Sequence, residues 1–231
     1  MEAVILAAGK GVRLHPHTLT TPKPLLPVQG RPILDWLLAA LPLQVERVIV
    51  VVNYLAEKIE AHLASRDGGR AWVTVKQTEP RGTGDALRCC REHLRGDRFL
   101  VLNGDDLYAP DDLAKLARYP AGVLAHPVDQ PHLFGIVFSK ADGSLERLEE
   151  KPSLTGTHLA NIGAYLFPRS VFELPLQLSS RGEYEITDWL SQLAANQPVQ
   201  VVRATFWHPI GNIEAWHAAE QITIPVVRPT S

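Results

Sequence analysis

Cysteine is nearly absent from this chain: two residues in 231, adjacent at Cys89 and Cys90. Neighbours in a helix point about 100° apart, and neither residue has the spacing of a zinc site. A disulfide framework and a thiolate metal centre are therefore excluded, and two reduced thiols in a cytoplasmic protein are expected. Long apolar runs are missing as well. None approaches the ~18 residues of a membrane span, and the opening MEAVILAAGKG lacks the basic start and apolar stretch of a secretory signal. Charge of one sign is not in excess: 23 Lys and Arg face 25 Asp and Glu, a net charge of −2. No global positive field argues for nucleic acid or an anionic membrane as partner. Internal repeats, low-complexity tracts and a Pro/Gly/Ser-rich linker are all lacking. So is a Ser/His/Asp or Cys/His constellation, which argues against a covalent intermediate.

What is present is an ordinary globular composition, 45% apolar and 21% charged, in a chain long enough to bury a substantial core. Short apolar runs alternate with helical patterns. Strands are expected at Ala3–Ala7, Val45–Val52, Ala71–Lys76 and Phe99–Leu102, and helices at Pro32–Leu41, Leu55–Leu63 and Thr83–His93. Such alternation implies βαβ units and a parallel sheet. Beyond about residue 120 come strand-like pieces at Gly122–Pro127, Gly135–Phe138, Leu145–Glu149 and Leu159–Phe167, with turn signals such as Asp142-Gly143. Helices at Glu185–Ala195 and Ile213–Ile222 bracket a strand at Val199–Arg203, and 226–231 reads as a loose end. The expectation is one α/β domain over 1–231, with halves 1–120 and 121–231.

Two early motifs carry chemistry. The first, Leu6-Ala-Ala-Gly-Lys-Gly-Val-Arg-Leu14, follows the first strand directly. Gly9 and Gly11 tolerate positive φ and expose backbone N–H groups suited to phosphate oxygens. Ala7 and Ala8 are small enough to let a flat base approach, and Arg13 offers a charge-assisted fork. The pattern is neither a Walker loop nor a dinucleotide fingerprint, whose third glycine would fall at Leu14. The second motif, Thr21-Pro-Lys-Pro-Leu-Leu-Pro-Val28, holds Lys23 between two prolines in a segment expected to be extended. Farther on, Asp105 lies just past an apolar strand, where open α/β sheets place ligands, and is a reasonable hard ligand for Mg²⁺. His15 and His17 lack a third partner and read as solvent-exposed.

These two motifs together resemble the opening signature of the sugar-1-phosphate nucleotidylyltransferases. The resemblance runs on through Gln77-Thr-Glu-Pro-Arg-Gly-Thr-Gly-Asp-Ala-Leu87, Leu102-Asn-Gly-Asp-Asp106, Leu148-Glu-Glu-Lys-Pro152, Asn161-Ile-Gly163 and Gly182-Glu-Tyr-Glu-Ile-Thr-Asp188. It implies a Rossmann-like nucleotide-binding fold with a mostly parallel, mixed central sheet flanked by helices. By the same resemblance, Ala7, Ala8 and Gly9 line base and ribose, while Gly11 and Arg13 hold phosphates. Lys23 sits near the α-phosphate, Gln77 with Gly82 and Thr83 reads the base, and Asp105 binds Mg²⁺. Gly135, Glu150, Lys151 and Asn161 contact the sugar phosphate. The partners implied are a nucleoside triphosphate, UTP or dTTP before GTP, and a sugar 1-phosphate; a homo-oligomer is compatible with this.

One segment departs from the family pattern. Where members often carry a second metal-binding Asp in Trp-x-Asp-x-Gly, this chain reads Trp207-His-Pro-Ile-Gly-Asn212, with Pro209 at the Asp position. Asn212 is the substitute ligand to test. Few residues follow the last helix, so no left-handed β-helix acyltransferase domain is expected. A cytidylyl- or guanylyltransferase, and a noncatalytic ligand-sensing relative, remain the alternatives.

Overall fold

The computed structural model describes residues 1–66 and 69–226. In chain order the elements begin β1 (Glu2–Leu6), β2 (Pro27–Val28), β3 (Arg31–Pro32), α1 (Ile33–Ala40), β4 (Arg47–Val52), α2 (Ala56–Ala64), β5 (Ala71–Lys76), α3 (Thr83–Arg88) and β6 (Arg98–Asn103). They continue with β7 (Asp106–Tyr108), α4 (Pro110–Leu116), β8 (Gly122–Val128), β9 (Gly135–Ser139), β10 (Leu145–Glu150) and β11 (His158–Pro168). The last are α5 (Ile186–Asn196), β12 (Gln200–Arg203), β13 (Trp207–Pro209) and α6 (Ile213–Ala218).

Nine strands form one mixed sheet, in the order β10-β9-β11-β6-β1-β4-β5, with β8 pairing β11 and β12 pairing β8. Strands β6, β1, β4 and β5 run parallel, and β11 is antiparallel to β6. The first half of the chain thus supplies the four central parallel strands, while the second half joins the same sheet through β11 and adds a parallel β12–β8 pair.

Alternation along each strand sorts side chains into two cores. Ala3 and Ile5, Val48 and Val50, Leu100 and Leu102 face one side, with Leu34 and Leu37 of α1, Ile59 of α2 and Leu113 of α4. Val4, Ile49, Val51, Phe99 and Val101 face the other, with Leu87 of α3 and Trp189, Leu190 and Leu193 of α5. Strands covered on both faces need no polar side, which is why Val48–Val52 is apolar throughout. Each fully buried Val or Leu contributes about 1.5–3 kcal/mol relative to exposure, so the central strands hold the sheet together.

Several expectations needed correction. The helix expected over Thr83–His93 ends at Arg88; Cys90 N–H bonds Leu87 O three residues back, and Arg91–His93 forms a separate 3₁₀ turn. The helix expected to reach Ile222 ends at Ala218. Helix α4 and the β7–β13 pair were not expected at all: their runs are too short for periodicity to mark. Of the loose end expected at 226–231, residues 227–231 lie outside the described residues.

The sheet has a switch point. From β1 the chain moves outward to β4 and β5, then crosses back to β6 on the other side of β1. A crevice must open above the carboxyl ends of these strands, because the loops leaving β1 and β6 diverge there.

Candidate active site

That crevice is a cleft of about 360 Å³, within the size range of small-ligand sites. It is lined by Leu6 at the end of β1 and Ala7, Ala8 and Gly9 just after it, by Lys23 and Pro24, and by Gln77 beyond β5. Asn103, Gly104 and Asp105 beyond β6, the loop carrying Pro80, Gly82 and Thr83, and Glu183 complete it. Eight of the residues singled out from the sequence therefore meet in one cleft: Ala7, Ala8, Gly9, Lys23, Gln77, Gly82, Thr83 and Asp105.

The floor is backbone against backbone. Gly104 N–H bonds Leu6 O at 2.9 Å, and a side chain on Gly104 would collide with that carbonyl. Of the two glycines in the loop after β1 that tolerate positive φ, Gly11 adopts it, at 64°, and Gly9 does not; Gly9 is exposed, with open space where a Cβ would be. A Cβ on Gly11 would press on Thr18 and Lys23, so this glycine packs the loop against the Lys23 segment.

That segment is not extended throughout, as its prolines suggested. Pro22 and Leu26 are extended, but Lys23–Leu25 makes one 3₁₀ turn, for which the φ of Pro24 is suited. The turn draws Lys23 inward to 7% exposure. Its ammonium donates to Asp105 Oδ2 at 2.5 Å. The Asp105 carboxylate is 39% exposed and faces the cleft.

Asp106 points the opposite way. Its carboxyl accepts from Asn103 and Tyr108 in the interior. Burial pushes it up to about 8, and the neighbouring Asp105 charge adds to the rise. Consecutive strand-end residues thus divide into one carboxylate in the cleft and one buried behind it.

Gln77 is 4% exposed. Its Nε2 donates to Gly82 O at 3.1 Å and to Asp85 Oδ2 at 3.0 Å. The Gly82 loop is fastened to the second half of the chain: Tyr184 N–H bonds Arg81 O, Gly84 N–H bonds Tyr184 O, and Ile186 N–H bonds Thr83 Oγ1. Gly82 has a φ of 108°, and a Cβ there would clash with the Tyr184 carbonyl.

Other expected residues lie outside the cleft lining. Arg13 is exposed, beside Gly211. Gly135 and Glu150 pair in register between β9 and β10, and the missing side chain at Gly135 leaves room for the Glu150 carboxylate. Glu150 also accepts from Arg181 at 3.1 Å. Lys151 is exposed, and its N–H bonds Phe134 O. Asn161 spends its amide on Tyr165 Oη and Gly163 N.

The 207–212 segment does approach Asp105: Ile210 N–H bonds Asp105 O, and Pro209 pairs Asp106 in the β7–β13 ladder. The Asn212 oxygen expected for a metal is engaged otherwise, accepting from Ala215 N at 2.8 Å as the N-cap of α6.

Sequence reasoning missed Asn103, Asp85 and Glu183 as individual site residues. All three stand inside segments that carry the resemblance, Leu102–Asp106, Gln77–Leu87 and Gly182–Asp188, which was the available signal. Among the described residues, no three His, Cys, Asp or Glu side chains form a metal cluster by themselves.

Comparison with known proteins agrees in kind. A family model described as nucleotidyl transferase matches residues 2–224. The bifunctional protein GlmU of Methanocaldococcus jannaschii is 34% identical over 214 residues, covering 91% of this chain and 51% of that protein. The chain thus spans about half the length of that relative. A UTP–glucose-1-phosphate uridylyltransferase of Haloferax volcanii is 32% identical, covering 96% of both chains. A crystal structure from Bacillus anthracis, described as a glucose-1-phosphate thymidylyltransferase, superimposes with a TM-score of 0.86 at 25% identity, covering 100% of this chain and 98% of the other.

Proposed function

Because the chain belongs to the nucleotidyl transferase family, we propose that it transfers a nucleotidyl group from UTP or dTTP to a sugar 1-phosphate, releasing pyrophosphate. The observation that carries this is one cleft holding the Gln77 amide, a small-residue floor, and the Lys23–Asp105 pair.

The reaction is an in-line displacement. An anionic oxygen of the sugar phosphate attacks the α-phosphorus, the bond to the β-phosphate oxygen breaks, and pyrophosphate leaves with the electron pair. The nucleophile is already ionised, so no general base is required. What must be overcome is repulsion between two polyanions. Lys23 supplies a positive charge held in place by the turn around it, and the exposed Arg13 guanidinium a second. The N–H groups of the loop after β1 offer donors to phosphate oxygens. Ala7 and Ala8 leave space for base and ribose, while Gln77 meets the base edge.

The donor set fits a hard divalent cation such as Mg²⁺. Asp105 offers one cleft-facing carboxylate, Mg²⁺ commonly takes only one or two protein carboxylates, and a triphosphate would supply the remainder. Bound there, the ion would neutralise phosphate charge.

On the same reading, Gly135, Glu150, Lys151 and Asn161 form the side where the sugar phosphate rests. Glu183 and the Gly82 loop, fastened to each other's segments, join the two substrate regions. A cytoplasmic location accords with the unpaired thiols of Cys89 and Cys90. A ligand-sensing relative would draw support from Pro209, yet Lys23 and Asp105 both stand in the cleft. The test is a pyrophosphate-release screen crossing all nucleoside triphosphates with a panel of sugar 1-phosphates. Turnover confined to purine nucleotides, or to no pair at all, would reject this reading.

A further inference from the structure

Gln77 has a neighbour whose chemistry constrains it. Both hydrogens of its Nε2 are spent inward, one on Gly82 O and the other on Asp85 Oδ2. Asp85 is 6% exposed, in the first turn of α3, and Arg88 pairs with its other oxygen, Oδ1. Among the described residues, Gln77 Oε1 has no protein donor, although Gln77 lines the cleft.

We propose that Asp85 is a positioning residue that sets the base preference: it locks the Gln77 amide so that only its carbonyl oxygen meets the nucleotide. The proposal rests on the nucleotidyl-transfer reading above. An unconstrained glutamine amide can turn over and exchange donor for acceptor. Here the turned amide would bring Oε1 against two acceptors, the Asp85 carboxylate and the Gly82 carbonyl, neither of which has a hydrogen to give. A buried acceptor facing acceptors loses its hydrogen bonds and keeps its desolvation cost.

The base therefore meets a fixed acceptor. Uracil and thymine carry a hydrogen on N3 that such an oxygen accepts. Cytosine presents a lone pair at the same ring position and is opposed. The substrate class is a nucleoside triphosphate whose pyrimidine has an N3–H. Asp85 itself acts only through Gln77, since it does not line the cleft.

The experiment compares kcat/KM for UTP and CTP, with a sugar 1-phosphate that the wild-type protein uses, in wild type and in Asp85→Asn. An asparagine can donate or accept, so one of the two acceptors opposing the turned Gln77 amide is removed while the Gly82 carbonyl stays. The CTP:UTP ratio is expected to rise by about tenfold, the effect of one ordinary hydrogen bond, chiefly through KM for nucleotide. Asp85→Ser makes the same change with a smaller side chain, should the asparagine variant not fold. A residue needed only for packing would lower both values together. An unchanged ratio in a folded, active variant overturns the locking role and leaves the functional reading intact. If wild type turns over no pair, the functional reading fails instead, and equilibrium binding of UTP and CTP to the same variants decides the locking role.

Discussion

The Lys23 ammonium lies 2.5 Å from Oδ2 of Asp105, although 82 residues separate them in the chain. Lys23 is almost buried and Asp105 is open to the cleft, so the pair has an inner cation and an outer anion. The carboxylate thus forms the cleft face of the pair, and the lysine is held behind it.

Replacing Asp105 by Asn should abolish most metal-dependent turnover, by ~10²-fold or more in kcat, as expected when a preorganised electrostatic element is lost. The fold should survive, because Asp105 is partly exposed and Asn retains an acceptor for Lys23. Pyrophosphate release, measured beside a thermal melt, separates the two effects. A folded variant with near wild-type turnover would remove Asp105 from the reaction.

Gly82→Ala should damage both stability and nucleotide use. The position requires a φ of 108°, and the added methyl would enter the Tyr184 carbonyl. Strain of this kind costs about 1–3 kcal/mol. Because Gly82 O holds the Gln77 amide, KM for the nucleotide should rise as well. A melting temperature and KM equal to wild type would show that the loop yields freely.

Asn212→Ala should lower stability by about 1 kcal/mol through the lost cap of α6, and Asn212→Ser should restore most of it. If Asn212 serves only as this cap, the Mg²⁺ concentration for half-maximal rate should not move. A metal titration shifted to higher concentration in the alanine variant alone would return Asn212 to the metal site.

Glu2 gives the fold a pH dependence. Burial pushes its carboxyl up, but N–H groups of Arg95 and Gly96 and the Arg47 guanidinium outweigh that and hold it below its ordinary value of 4.5. A carboxylate depressed in the folded state stabilises fully above its unfolded value and loses that contribution as pH falls through the folded one. Glu2→Gln should therefore melt below wild type at neutral pH, and the two curves should converge in acid, as pH falls below the ordinary value of 4.5 and through the lower folded one. Parallel curves from pH 7 to pH 3 would contradict the assignment.

How much of this was legible beforehand differs by element. The β-branched run Val48–Val52 could only be a buried strand, and its period of two divided the two cores without reference to any partner. The motif around Gly9 and Gly11, and that around Lys23, marked residues of the cleft because both are local: glycine freedom and proline stiffness act within a few residues. Even so, Gly9 and the turn at Lys23 came out differently, since several φ/ψ choices satisfy the same short sequence.

The sequence by itself determined the sheet's central strands, the glycine-rich loop and the chemistry of the lining residues, because hydrophobic period and turn chemistry are short-range. Only the tertiary structure decided that Lys23 is buried against Asp105, that Asp85 holds Gln77, and that the Gly82 loop is bonded to Tyr184. The Lys23–Asp105 and Gly82–Tyr184 contacts join residues about 80 or more apart in the chain. Asp85 and Gln77 are eight apart, but their meeting depends on β5 and α3 folding onto the same sheet. Contacts of this kind are set by the register of packed elements, and no local pattern encodes that register.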